Sequence, residues 1–217
     1  MWRGLRAAAP PAVPEILLYA ADPGTGLFEP TGGYRSEQPP PFWAFAWAGG
    51  QALARHLLDH PDLVRDREVL DVGAGSGLVA IAAAKAGASR VRAAEIDPDA
   101  IAAIDRNAAL NGVTVEAVLG DALDGDAAGA DVVTGGDVFY TAATAARMMR
   151  FLRRVGQAGA RVLVGDAGRG FLPEGRFTAL AGYRVPVPVA LEDTGMKDAT
   201  VFEFATPPSG GRSPRVR

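Results

Sequence analysis

Apolar and polar positions change period several times along this 217-residue chain. Short apolar runs stand at 69–72 (VLDV), 90–96 (RVRAAEI), 113–120 (VTVEAVLG), 131–136 (DVVTGG) and 161–166 (RVLVGD). Each reads as a strand buried on both faces. Between them, at about 77–87, 98–110 and 141–154, apolar residues recur every three or four positions, the period of a helix packed on one side. Residues 50–58 carry the same period ahead of the first strand. Strands alternating with helices imply right-handed crossovers and an α/β fold with a parallel sheet covered on both faces. The end of the chain departs from this. Residues 183–191 (YRVPVPVAL) and 199–205 (ATVFEFA) are two strands with only a loop between them, so the sheet should close with an antiparallel pair.

The flanks differ in composition. Residues 1–14 and 207–217 are rich in Pro, Gly, Ala, Ser and Arg, and both are expected to be mobile. Residues 15–21 (EILLYAA) predict a strand, followed by a Gly- and Pro-rich loop. The organisation expected is an N-terminal extension over 1–41, packed on a main domain over 42–206, with a tail over 207–217. At 48% hydrophobic, the chain suffices for one well-buried domain.

Charge and residue usage exclude several classes. A net charge of −3 offers no broad basic face for nucleic acid. Arg147, Arg150, Arg153 and Arg154 sit at helical spacing and read as a solvated helix face. The absence of cysteine removes disulfides and thiolate metal sites. His56 and His60 stand four apart, a possible metal pair, but no third ligand of suitable spacing accompanies them, and a helix end explains them better. No apolar run is long enough to span a bilayer, and the N-terminus lacks the apolar core of a secretory signal. A monomer of the bacterial cytoplasm, without metal or membrane, is expected.

The candidate chemistry lies where the strands end. Gly73, Gly75 and Gly77 follow the strand at 69–72 as G-x-G-x-G. That departs by one residue from the dinucleotide fingerprint, and no P-loop Gly-Lys-Ser/Thr follows. Glu95 closes the second strand, where a carboxylate can accept from ribose hydroxyls. Asp121 closes the third, where it can meet an exocyclic adenine amine. Asp71 precedes the glycines, where it suits a cationic amino group and not a pyrophosphate. Together they describe a ligand with adenine, ribose and a charged amine, and no phosphate.

VLDVGAGSG, AEIDP and GDAL in this order resemble the class I S-adenosylmethionine-dependent methyltransferases, over roughly 42–205. The resemblance implies a Rossmann-like, doubly wound sheet of seven strands, mostly parallel with one antiparallel strand near the C-terminus. It implies S-adenosyl-L-methionine as cofactor, S-adenosyl-L-homocysteine as product, and contacts from Trp47, Asp71, Gly73, Ala74, Gly75, Gly77, Glu95, Ile96, Asp121, Ala122 and Asp137. After the fourth strand, GGDVFYTA carries Asp137 and Tyr140 in the Asp-x-x-Tyr pattern of seven-strand protein-lysine methyltransferases, in place of the Asn-Pro-Pro-Tyr of many nitrogen methyltransferases. Residues 39–64, with Trp43 and the Trp-x-Gly-Gly element 47–50, and residues 161–169 (RVLVGDAGR) resemble the electron transfer flavoprotein beta subunit lysine methyltransferase family.

That resemblance implies Asp137 and Tyr140 as catalytic residues, with Asp137 holding the acceptor amine. The implied partner is a protein with an exposed lysine, the flavoprotein subunit or a small ribosomal protein. A small-molecule N-methyltransferase with a nicotinamide-like acceptor is the alternative. Trp43 is divided between core and cofactor, and Asp166 could simply cap the turn after its strand.

Overall fold

The computed structural model describes residues 5–21, 41–192 and 194–205. The expected mobile tail, 207–217, and most of the loop after residue 21 lie outside these residues. In chain order the elements are β1 (Leu5–Ala8), β2 (Leu18–Ala21), α1 (Ala48–Asp59), β3 (Glu68–Val72), α2 (Leu78–Lys85), β4 (Arg90–Glu95), α3 (Pro98–Leu110) and β5 (Glu116–Leu119). There follow β6 (Val132–Gly136), α4 (Ala142–Gln157), β7 (Arg161–Asp166), β8 (Phe177–Pro186), α5 (Val189–Glu192) and β9 (Met196–Phe204). β1 and β2 form a separate antiparallel pair. The other seven strands form one sheet in the order β5-β4-β3-β6-β7-β9-β8, with β9 antiparallel to both neighbours. The seven-strand, doubly wound sheet expected from the sequence is thus the one found.

The helices cover the sheet as their patterns require. α2 is buried through nearly its whole length, and its alanines allow close approach to the strands. α4 turns Met148, Phe151, Leu152 and Val155 inward against the opposite face. Its arginine row is not simply solvated. Arg147 pairs with Asp121 and Asp124 at 2.8 and 3.0 Å, and Arg154 donates to the carbonyls of Leu123 and Gly125. Half of that row therefore staples the turn after β5.

Three expectations are corrected. The penultimate strand is Phe177–Pro186, not 183–191. Pro186 and Pro188 carry no N–H, so beyond Pro186 only the Val187 N–H still reaches across, to the Gly195 carbonyl at 3.2 Å. The upstream FTALAG pairs instead, as an exposed edge strand whose small residues give little strand signal. β5 is confined to Glu116–Leu119, while Val115 turns into the core ahead of it. The N-terminal stretch expected to be mobile includes β1. Val13, Ile16 and Leu18 are fully buried in the main core. Asn107 and Asn111, four apart on one face of α3, accept from the Tyr19 and Leu17 N–H groups at 2.8 and 3.0 Å. Gln51 accepts from Ala12 N–H at 3.1 Å.

The histidines serve the fold. His56 Nδ1 lies 2.8 Å from the Tyr183 hydroxyl, and His60 Nδ1 donates to the His56 carbonyl where α1 ends. Burial holds the His56 imidazole below its usual range.

α1 approaches the sheet through glycines more closely than side chains allow. A Cβ on Gly49 would stand 2.5 Å from the Gly165 carbonyl oxygen and 2.6 Å from Asp137 Oδ2. A Cβ on Gly136 would stand 2.6 Å from Gly50 Cα. At Gly50 itself an added Cβ meets nothing. Adjacent glycines in one helix should therefore respond with opposite signs. Gly50→Ala should be neutral or stabilising by up to about 1 kcal/mol, the helix-propensity gain. Gly49→Ala should destabilise by about 1–3 kcal/mol or more, as overpacking against backbone does. Urea denaturation midpoints of the two variants decide this, and equal midpoints would remove the contact from the account.

Candidate functional site

The site lies at the carboxyl ends of β3, β4, β6 and β7, where the strand order reverses between β4 and β6 around β3. The turn after β3 is left-handed at Gly73, Gly75 and Gly77, with φ of +61°, +51° and +80°. Each conformation favours glycine. The three have different surroundings. At Gly77 a Cβ would press on Ile104 at 3.3 Å, so this glycine serves helix packing. At Gly75 it would meet only Trp43 Cα, at 3.7 Å, leaving room for a ligand against the backbone. Ser76 is held from below, its carbonyl accepting from Asn107 Nδ2 at 2.8 Å.

Glu95 braces the same turn. Its Oε2 accepts from Gly75 N–H at 2.9 Å and its Oε1 from Ile96 N–H at 2.7 Å. The sequence assigned these oxygens to ribose, and the structure first gives them to backbone. Asp97 N–H adds a third, longer contact to Oε1 at 3.4 Å, and since a carboxylate accepts about four hydrogen bonds, about one position, on the Oε2 side, remains for a hydroxyl. Asp97, the other acid nearby, caps α3 by accepting from Asp99 N–H at 2.8 Å. Beyond Glu95 the edge is apolar, with Ile96 exposed and Leu119, the β5 partner of Glu95, exposed as well. Asp121 accepts from Leu123 N–H at 3.0 Å and pairs with Arg147, and Ala122 begins the short turn that follows.

Asp71 stands apart from these surface acids. It is 1% exposed. Oδ1 accepts from the Thr134 hydroxyl at 2.9 Å, across the β3–β6 pair. Oδ2 has no hydrogen-bond partner among the described residues, and burial pushes the carboxyl up to about 7. Asp71 lines a narrow cleft of about 50 Å³ with Gly73, Gly75, Phe42, Trp47 and Gly136. A buried, unpartnered carboxylate oxygen in a cleft is what the ammonium of S-adenosylmethionine would satisfy, and on that observation the residues fit the cofactor. A larger hollow, about 460 Å³, lies between the N-terminal hairpin and α3 and is lined by Leu5, Tyr19, Arg106, Ala109 and Leu110. None of the strand-end residues reaches it, so chemistry favours the smaller cleft.

Asp137 follows β6 with φ of +55°, a conformation few non-glycine residues adopt. Its N–H donates to the Gly165 carbonyl at 2.8 Å. The carboxylate expected to hold the acceptor amine is already engaged within the chain. Asp137 is 8% exposed, and both oxygens have partners. Oδ2 accepts from Gly50 N–H in the first turn of α1 at 3.0 Å, and Oδ1 from Arg169 Nε at 2.9 Å. Burial raises its carboxyl, against the pull of the Arg169 charge and the Gly50 N–H. Arg169 also forks onto Glu192 and lies over the Trp47 ring at 5.2 Å. Within DVFY, Val138 and Phe139 are core, and only Tyr140 is half exposed.

Trp47 walls the cleft and donates from Nε1 to the Phe42 carbonyl at 2.9 Å. Trp43 is core, packed with Ala100 and Ala103 of α3. Asp166 caps its turn as expected, accepting from Gly168 N–H at 2.7 Å. Arg169, Glu192, Thr134 and Asn107 were missed. Only Arg169 left a signal, a charge placed just after two strand-end glycines.

The Asp71 carboxyl has a consequence for pH. Its folded value, about 7, lies above the ordinary 3.8, so the folded chain holds this proton more tightly than the unfolded one. Ionising it costs stability as pH rises from about 4 through about 7, and the whole cost is present above that. At 1.36 kcal/mol per pH unit of separation, the upper bound is about 4 kcal/mol. Asp71→Asn should therefore gain on wild type between pH 4 and pH 8, while its affinity for S-adenosylmethionine falls. Parallel pH dependences of the two urea midpoints would contradict the assignment.

Comparison with known proteins agrees with the geometry. A sequence profile described as ribosomal protein L11 methyltransferase (PrmA) matches residues 52–136. The electron transfer flavoprotein beta subunit lysine methyltransferase of Rattus norvegicus is 39% identical over 170 residues, covering 76% of this chain and 67% of that protein. Its Danio rerio counterpart is 36% identical over 194 residues, covering 84% and 75%. An RNA methyltransferase from Salinibacter ruber, solved with S-adenosyl-L-homocysteine, shares the fold with a TM-score of 0.52 over 75% of this chain and 95% of that one, at 22% identity. With a glycine turn, strand-end acids and a seven-strand sheet in place, and with identity above one third across most of both proteins, this chain is an S-adenosylmethionine-dependent methyltransferase and belongs to the electron transfer flavoprotein beta subunit lysine methyltransferase family.

Proposed function

We propose that the enzyme methylates a lysine of the electron transfer flavoprotein beta subunit. The extent of the family match carries this reading. A match over 84% of the chain leaves too few residues outside it to miss the acceptor end at 137–169. The ribosomal protein L11 methyltransferase profile stops at residue 136, one short of Asp137. It therefore supports the cofactor half and is silent on the acceptor half. The half-exposed Tyr140 suits a rim that a side chain on another protein can approach.

S-adenosylmethionine supplies a methyl group on a sulfonium, ready for in-line displacement. The chain's task is alignment and exclusion of water. Asp71 Oδ2 takes the cofactor's ammonium, Glu95 the ribose, and Asp121 with Ala122 the adenine, against the apolar edge at Ile96. The acceptor lysine must arrive neutral, because an ammonium has no lone pair, and its ordinary pKa is near 10.4. Asp137 would act on the amine, and on the cation that forms on it, through the charge of a carboxylate already bonded to Gly50 N–H and Arg169, with Tyr140 beside the entry. Water carries the proton away.

Recombinant beta subunit, incubated with labelled S-adenosylmethionine and a chelator, should acquire label on a lysine located by peptide mass spectrometry. Ribosomal protein L11 and nicotinamide run as parallel acceptors, and label confined to either would overturn the reading. Asp137→Asn should keep cofactor affinity within about threefold, ~0.6 kcal/mol. Its turnover on the beta subunit should fall by more than about tenfold, ~1.4 kcal/mol in the transition state. Binding and turnover falling together would instead assign Asp137 to the cofactor, and full activity would deny it both roles.

A further inference from the structure

Arg169 belongs to none of the cofactor motifs, yet it touches three parts of the site. Its Nε donates to Asp137 Oδ1 at 2.9 Å. Its two terminal nitrogens reach the Glu192 carboxylate at 2.8 and 3.4 Å. Its guanidinium carbon lies 5.2 Å from the centre of the Trp47 ring. Asp137 follows β6, Trp47 walls the cofactor cleft, and Glu192 ends α5 in the β8–β9 connection. The Asp137 and Glu192 side chains are 7% and 5% exposed. Two buried carboxylates need a cation between them, and a planar fork with a stacking face can serve both and the indole at once. An ammonium cannot. Lys197, at 3.7 Å from Glu192, approaches one carboxylate only.

We propose that Arg169 is a positioning residue for methyl transfer, a strut that makes the cofactor wall at Trp47, the carboxylate of Asp137 and the β8–β9 connection one unit. The connection exposes Val189 and Met196 on either side of Glu192. Through Arg169, a protein acceptor seated there bears on Asp137 and on the cleft. The proposal rests on the lysine-methyltransferase reading for its kinetic arm, and on the ligand-free protein for its spectroscopic arm.

Arg169→Met, Arg169→Lys and Glu192→Gln are measured against wild type with the beta subunit as acceptor. Arg169→Met should lose more than about tenfold in kcat, with affinity for S-adenosyl-L-homocysteine within about threefold. Arg169→Lys should recover less than half of that turnover, because one ammonium cannot bridge. Glu192→Gln should raise KM for the beta subunit by more than about fivefold and leave cofactor affinity within about threefold. A loss spread evenly over kcat, KM and cofactor affinity would mark a merely structural residue and overturn the proposal. In the ligand-free protein, the Trp47 contribution to emission, taken as the difference from a Trp47→Phe background, should shift in Arg169→Met. An unchanged Trp47 emission, or unchanged kcat and KM in a folded Arg169→Met, would also overturn it. If Arg169→Met does not fold, Glu192→Gln decides alone. If wild type does not methylate the beta subunit, the lysine reading fails, and the strut stands or falls on the emission.

Discussion

The site depends on a contact made almost without side chains. The first turn of α1 lies on the ends of β6 and β7 closer than a Cβ on Gly49, Gly136 or Gly165 permits. That approach sets two things together. It delivers the Gly50 N–H, at the positive end of a helix, to the Asp137 carboxylate. It also brings Trp47, just before the helix, against the cleft beside Gly136. A methyl group on Gly49, Gly136 or Gly165 would lift the helix away, and with it one wall of the cleft and one partner of the acid.

Of the three buried aspartates among the described residues, Asp71 and Asp137 divide the work by environment, while Asp166 caps its turn. Asp71 has a hydroxyl on one oxygen and, among the described residues, no hydrogen-bond partner on the other. Asp137 has a helix N–H and a guanidinium. The first is incomplete without a cation from outside, while the second is complete within the chain. A buried carboxylate with an empty position is costly alone and favourable when a charged ligand fills it. A paired one serves geometry as much as charge.

The glycine turn is braced from outside its own motif. Glu95 holds it from the next strand, and Asn107 holds it from α3. The other end of Asn107 binds the backbone of β2, and Asn111 repeats the grip one turn on. A hairpin far from the cleft in sequence is thereby tied, through one amide side chain, to the segment that receives the ligand.

The alternation of strands and helices, the glycine turn and the strand-end acids are local in sequence, and each was legible because strand, turn and helix have their own periods and their own residues. The Trp-x-Gly-Gly element placed Trp47 at the cofactor but hid the role of its glycines, since the partners of Gly50 and Gly49 lie 86 and 116 positions away, at Gly136 and Gly165. The same distance hid the fate of Asp137. Nothing beside GDVFY announces that Arg169 and Glu192 will close on it. The edge strand at 177–186 escaped because a strand buried on few sides needs few apolar residues. Sequence by itself determined which backbone segments form and which acids stand at their ends. Only tertiary structure decided which of those acids are left wanting a cation, because that depends on which groups from distant segments arrive within hydrogen-bond reach.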